Sequence, residues 1–149
     1  MVFRMGDLLV AVDGSKYSDK IVAYSCNLAK DLSKKILLIY VSKYPELIEE
    51  YIGFGGKSPV KEARRYVAVA EALTSKLAKK VRDAGVPYEI ILDTGNPSEQ
   101  IIAKATEKKV DIIVVGLRGL HGLGRIRSLG SVARRVLENS PYPVVVIPA

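Results

Sequence analysis

Residues 110–137 read VDIIVVGLRGLHGLGRIRSLGSVARRVL, and the fold depends on how this stretch divides. Residues 110–115 form a short, largely apolar run, the pattern of a strand buried on both faces. Gly116, Gly119, Gly122, Gly124 and Gly130 break it into a loop. Ser131 follows, and Val132, Val136 and Leu137 set a helical apolar stripe, with Ser131 expected as the N-cap. A buried strand thus feeds a glycine-rich loop, which feeds a helix start. Glycines let backbone N–H groups approach a ligand. A helix start offers unpaired N–H donors and partial positive charge. Arg118, Arg125 and Arg127 add full charges, so the stretch suits an anion such as phosphate. Taken alone it also fits an ordinary solvated loop.

Outward from this stretch, strands and helices alternate. Residues 7–13 (DLLVAVD) read as the first strand, stopped by Gly14 and Ser15. Ser15 is expected to cap a helix through Leu32, with Ser18 in its first turn and Ile21, Ser25, Leu28 and Leu32 on one face. Residues 36–41 (ILLIYV) form the second strand. Residues 42–58 show no period and read as a loop, with at most a helical turn at 45–51 and a GFGG run at 53–56. Gly56-Lys57-Ser58 is not a P-loop, because Tyr51 stands where that motif needs glycine. Pro59 opens a helix whose core face is Ala63, Tyr66, Val67, Ala70, Leu73, Leu77 and Val81, stopped at Gly85. Residues 88–94 are the third strand. Asn96 caps the next helix, Pro97 takes its first position, and Glu99 is placed for a capping box. Ile101, Ile102 and Ala105 form its inner face. Val144–Ile147 is the last strand. The order βαβαβαβαβ calls for an open five-stranded parallel sheet with helices on both faces, Rossmann-like. Residues 1–149 are expected to form one domain.

Composition narrows the function. The chain is 48% apolar and 26% charged, ordinary for a globular protein. Its longest apolar run is far short of the ~20 residues of a membrane span, and no signal-peptide pattern opens it. Cys26 is the sole cysteine, which excludes an intrachain disulfide and suits a reducing cytoplasm, where a buried inert thiol is expected. The net charge of +7 points to anionic partners. The lysines are dispersed, so nucleic-acid binding is not expected. His121 stands alone on the glycine loop and suggests no metal site. Arg134 and Arg135 are expected on a solvated helix side, and Tyr17, Tyr24, Tyr66 and Tyr142 as packing residues.

In open parallel sheets, ligands bind beyond the C-terminal strand ends where strand order reverses. If strands one and four are neighbours, the loops Asp13-Gly14-Ser15 and Gly116-Leu117-Arg118-Gly119 meet there. Together with Gly130-Ser131 before a helix and the closing Pro143-Val-Val-Val-Ile147, these loops resemble a universal stress protein domain over essentially the whole chain. The resemblance implies strand order 3-2-1-4-5 and a homodimer paired through Val144–Ile147. It also implies ATP binding, with Mg2+ as a possible companion. Nucleotide-binding members carry G-x-x-G, nine residues, then G-[S/T]; here ten residues separate Gly119 from Gly130. By position, the resemblance sets Asp13 at the ribose or base, and Val12 and Val41 at the base pocket. It sets Val115 and Gly116 against ribose and phosphates, and Arg118, Gly119, Gly130, Ser131 and Val132 in the phosphate cradle. Asp13 alternatively caps the helix after it.

Catalysis has little support. Phosphoryl transfer needs positioned charge, usually a carboxylate-held metal, and residues 116–131 contain no acid. Three readings stand: an ATP-binding regulatory module with little or no hydrolysis, a dimeric interaction protein that binds no nucleotide, and a slow ATPase.

Overall fold

The computed structural model describes residues 6–43, 59–118 and 129–149, excepting the side chains of 59, 60 and 62. Five strands, β1 (Leu8–Val12), β2 (Ile36–Ser42), β3 (Tyr88–Thr94), β4 (Ile112–Gly116) and β5 (Val144–Ile147), alternate with four helices. These are α1 (Ser18–Leu32), α2 (Pro59–Asp83), α3 (Pro97–Lys108) and α4 (Ser131–Asn139). The strands form one parallel sheet in the order β3-β2-β1-β4-β5. The central strands consist of apolar residues because both of their faces are covered.

Each face has its own core. Leu8, Val10, Val12, Ile36, Leu38 and Val114 pack with Ile21, Val22 and Cys26 of α1 and Leu77, Ala78 and Val81 of α2. Leu9, Leu37, Ile39, Ile113 and Val115 pack with Ile101 and Ala105 of α3 and Ala133 and Val136 of α4. The period-two alternation along each strand distributes its residues between the two layers. Cys26 is a buried free thiol. Burial pushes it up, with Lys30 opposing.

Several local expectations change. α1 begins at Ser18, not after Ser15: Tyr17 holds the N-cap position without a side-chain cap bond. The Ser15 hydroxyl instead accepts from the Tyr17 N–H at 3.3 Å. Leu32, expected on the inner face, is 37% exposed, because Cys26 and Ala29 occupy the buried stripe. On α2, Val67 is 51% exposed, and the buried residues of the helix run from Ala70 to Val81. Tyr24 is 53% exposed and is no packing residue. On α4, Leu137 is exposed and Ala133 takes the core position beside Val136. α3 keeps its expected start, where Asn96 accepts from the Glu99 N–H at 3.3 Å with Pro97 next.

At the N-terminal strand ends, Lys34 is nearly buried, with 8% of its side chain exposed, and pairs with Asp111. Its ammonium also donates to the Gly6 carbonyl at 3.0 Å. This clamp joins the segments that precede β1, β2 and β4.

Candidate functional site

β1 lies between β2 and β4, with Val12 beside Tyr40 and Val10 beside Val114. The strand order reverses there, so the loops after β1 and β4 leave neighbouring strand ends. The adjacency expected from sequence is present.

The β1 loop is a compact turn. Asp13 Oδ1 accepts from the Ser15 N–H at 2.9 Å, an Asx-turn that tightens the chain between strand and helix. Gly14 has φ +80°, and a Cβ there would lie 3.1 Å from Leu73 Cδ2 of α2. The positive φ therefore favours glycine here, and Leu73 would have to give way to any side chain.

The β4 loop is tied at both ends. The Leu117 N–H donates to the Ile147 carbonyl at 2.8 Å, and the Leu117 carbonyl accepts from the Gly130 N–H at 2.8 Å. A Cβ on Gly130 would sit 3.1 Å from that same carbonyl. A Cβ on Gly116 would sit 2.7 Å from Ile21 Cδ1. Both glycines thus let the backbone pass close to a neighbour.

Gly130, not Ser131, is the N-cap of α4, in extended conformation. Ser131 is the first helical residue and is exposed. The first backbone bond of the helix runs from the Arg134 N–H to the Gly130 carbonyl at 3.0 Å. The N–H groups of Ser131, Val132 and Ala133 precede any intrahelical donor and carry the positive end of the helix dipole. Gly130's own N–H is committed to Leu117, and its missing side chain leaves room for the Leu117 carbonyl.

The expected site residues fall in two groups. Val12, Asp13, Val115, Gly116, Arg118, Gly130, Ser131 and Val132 gather at the C-terminal ends of β1 and β4. Val41 lies near the end of β2, beside Asp93. Val12 and Val41 belong to opposite faces: Val12 packs in the α1/α2 layer, whereas Val41, Val115 and Val132 belong to the α3/α4 layer. Gly119 lies outside the described residues, as do His121, Gly122, Gly124, Arg125 and Arg127. So do residues 44–58, which hold the GFGG run, the expected helical turn and Gly56-Lys57-Ser58.

Three neighbours of the site were not singled out by sequence. Leu117 acts through its backbone, which leaves no residue-type signal. Leu73 was read only as core. Tyr40 interrupts the apolar run of β2 with a phenol, and that was the available signal. Burial pushes this phenol up, and the Asp13 carboxylate and the Tyr66 phenol push it further.

A concavity of about 500 Å³, lined by Gly6, Asp7, Lys30, Lys34, Lys35 and Pro87 among others, opens at the opposite end of the sheet. It sits at the N-terminal strand ends, where open α/β sheets do not bind ligands. Lys34 and Lys35 there are engaged by Asp111 and Glu89. The C-terminal strand ends therefore remain the candidate site.

The sheet order and its switch point between β1 and β4 define an open parallel α/β protein. More particularly, residues 5–148 match the model of the universal stress protein family, and the chain belongs to that family. It is similar to universal stress protein YxiE of Bacillus subtilis, 32% identical over 144 residues covering 94% of this chain and 97% of that one. A universal stress protein solved in complex with cAMP shares the fold: TM-score 0.70, 23% identity, covering 97% of this chain and 98% of that one. The universal stress protein from Archaeoglobus fulgidus in complex with dAMP also shares it: TM-score 0.62, 21% identity, covering 98% of this chain and 99% of that one. No helix among the described residues is long and apolar enough to cross a membrane.

Proposed function

We propose that this chain is an adenine-nucleotide-binding universal stress protein, a regulatory module whose ligand is ATP, with Mg2+ accompanying the phosphates. The observation that carries the reading is the Leu117–Gly130 bond, which fastens the start of α4 against the end of β4, beside the β1 turn. Asp13 on that turn receives a ribose hydroxyl or the base edge. The N–H groups of Ser131 and Val132, the bare Cα of Gly130 and the cation of Arg118 receive phosphate. Val41 and Val115, on one face of the sheet, line the nucleoside side; Val12 contributes backbone. The cAMP and dAMP complexes of two proteins with this fold support an adenine ligand. The arginines of the glycine loop support a polyphosphate.

The residues present fit such a group. A carboxylate ends β1 and a helix start follows the loop of the neighbouring strand β4, and Gly116 and Gly130 let the backbone pass close to Ile21 and Leu117. A helix N-terminus favours an anion by about 0.3–1 kcal/mol, and each charge-assisted hydrogen bond by about 1.5–3 kcal/mol. Several together reach micromolar affinity, about −8 kcal/mol. Residues 116–131 contain no carboxylate to hold a metal, so the reading is of binding with little or no hydrolysis. Nucleotide released from the purified protein and identified by mass spectrometry, with calorimetry against Mg-ATP, tests this. Absence of both co-purified nucleotide and heat at high micromolar concentration would sink it and favour the nucleotide-free interaction protein. A steady phosphate release abolished by Asp13→Ala would favour the slow ATPase.

The same reading makes the protein a single-domain cytoplasmic homodimer. β5 is an edge strand of four apolar residues, and pairing with a second copy covers an edge that otherwise invites aggregation. A monomeric mass at micromolar concentration would overturn the dimer.

A further inference from the structure

Cations and acids are unevenly matched over the surface. Lys34 pairs with Asp111, Lys35 and Lys108 with Glu89, and Lys104 with Glu107. These pairs cancel charge where it stands. α2 is different. Residues 59–83 hold seven Lys and Arg against Glu62, Glu71 and Asp83, an excess of four in a chain whose net charge is +7. Lys80 pairs with Asp19 of α1. Among the described residues, Lys61, Arg64, Arg65, Lys76, Lys79 and Arg82 join no ion pair. All six are exposed. Dispersal of lysines along the sequence disguises this division, because pairs such as Lys35–Glu89 join distant segments.

The open cations form a ridge. At 3.6 residues per turn, Lys61, Arg65, Ala68, Ala72, Lys76 and Lys79 follow one line along the helix, about 27 Å long. Ala68 and Ala72 are exposed and add no bulk between the cations. Between Lys61 and Ala72, Ala70 is the one described residue that is buried, so this half of the ridge stands open to solvent. Uncancelled like charges repel one another, and an anionic partner removes that cost.

The shape of the ridge selects the anion. A bilayer surface suits a helix with a continuous apolar face. The exposed apolar residues Val67 and Val69 instead stand about 200° apart around the helix, on either side of the cations. Single strands need exposed aromatic platforms; Tyr66, the one aromatic residue of α2, is off the line and partly buried. A second copy of α2 would repel the first. A duplex carries one charge per about 1.7 Å of its axis and meets the whole line. Lys and Arg along one helix, in a domain with pI above about 9, are the electrostatic footprint of such a partner; the pI here is about 9.5.

We propose that the outer ridge of α2 binds the phosphate backbone of double-stranded nucleic acid without reading its sequence. Lys61, Arg65, Lys76 and Lys79 contact phosphates, which position a protein but carry no sequence information. The ridge is separate from the strand-end site, so this binding does not depend on the nucleotide reading above.

Fluorescence anisotropy of the full-length protein with a labelled DNA duplex of about 20 base pairs, in about 50 mM salt, tests this. Affinity should fall as salt rises. Lys61→Gln/Arg65→Gln/Lys76→Gln/Lys79→Gln should lower the slope of log affinity against log salt by about 3–4, at ~0.9 per phosphate contact, and weaken binding at least about tenfold. Its far-UV circular dichroism should match wild type, since all four positions are exposed. Arg134→Gln/Arg135→Gln removes exposed cations from α4, on the other layer, and should leave affinity within about twofold. No binding by the wild-type protein at high micromolar concentration overturns the proposal. So does an equal loss per cation in the two variants, which would reflect net charge alone. Equal affinity for the single strand, for phosphatidylserine vesicles or for poly-glutamate overturns it in favour of that other partner.

Discussion

The Gly130 N–H donates to the Leu117 carbonyl at 2.8 Å, joining the residue after β4 to the residue before α4. The ten-residue interval between Gly119 and Gly130 therefore lies within a segment whose ends are tied. Loop-closure cost grows slowly with length, about 0.6 kcal/mol per doubling. One residue beyond the nine of nucleotide-binding members is thus cheap, and the helix start it leads to is held by a bond outside the interval.

Gly130→Val tests this anchor. Its backbone angles suit any residue, but the added Cβ meets the Leu117 carbonyl at 3.1 Å and the Arg118 Cα at 3.6 Å. Overpacking of this kind costs about 1–3 kcal/mol. ATP affinity should fall at least about tenfold while far-UV circular dichroism stays unchanged. Wild-type affinity in calorimetry would place the phosphates elsewhere.

Gly14→Ala isolates the β1 turn. Its φ of +80° and its contact with Leu73 both oppose a side chain. The left-handed conformation alone costs an L-residue about 1–2 kcal/mol. Urea denaturation should show a lower midpoint, shifted by that free energy divided by the slope, with the slope unchanged. An unaltered midpoint would mean the turn rearranges without cost.

Asp111→Ala should destabilise more than Lys34→Met. The first leaves a nearly buried ammonium with the Gly6 carbonyl but without its counter-charge; the second removes the charge itself. Breaking a fully buried pair costs about 3–5 kcal/mol. Asp111 is 35% exposed, so about 1–3 kcal/mol is expected here. Equal denaturation midpoints for the two variants would contradict this.

Glu89 accepts from Lys35 at 3.1 Å and Lys108 at 3.3 Å, and these hydrogen bonds hold its carboxyl below the usual range. A depressed carboxylate stabilises the fold above its unfolded pKa, about 4.3, and that stability is lost as pH falls through the folded value. Glu89→Gln should therefore flatten the stability profile below about pH 4.3. The pair is exposed, so the change should stay within about 1 kcal/mol and shrink in high salt. A profile as steep as wild type would mean the pair contributes nothing.

The alternation of apolar runs and amphipathic stretches was sufficient for the sheet, because period two and period 3.6 are local properties of the chain. So were the glycine punctuation at Gly14 and Gly116 and the Asn96-Pro97 helix start, which depend on backbone geometry a few residues long. Other features depend on what packs from far away in sequence. Val67 and Leu137 carry the right period yet face solvent, since helix faces are assigned by the layer beneath them. Ser131 has the chemistry of a cap, but Gly130 holds that place because Leu117 binds it. That β1 sits beside β4 is a matter of pairing across about 100 residues, and only that pairing makes the loops after β1 and β4 leave neighbouring strand ends. Tyr40 beside Val12 and Leu73 against Gly14 arise the same way: register and helix packing, which no local pattern records, decided them.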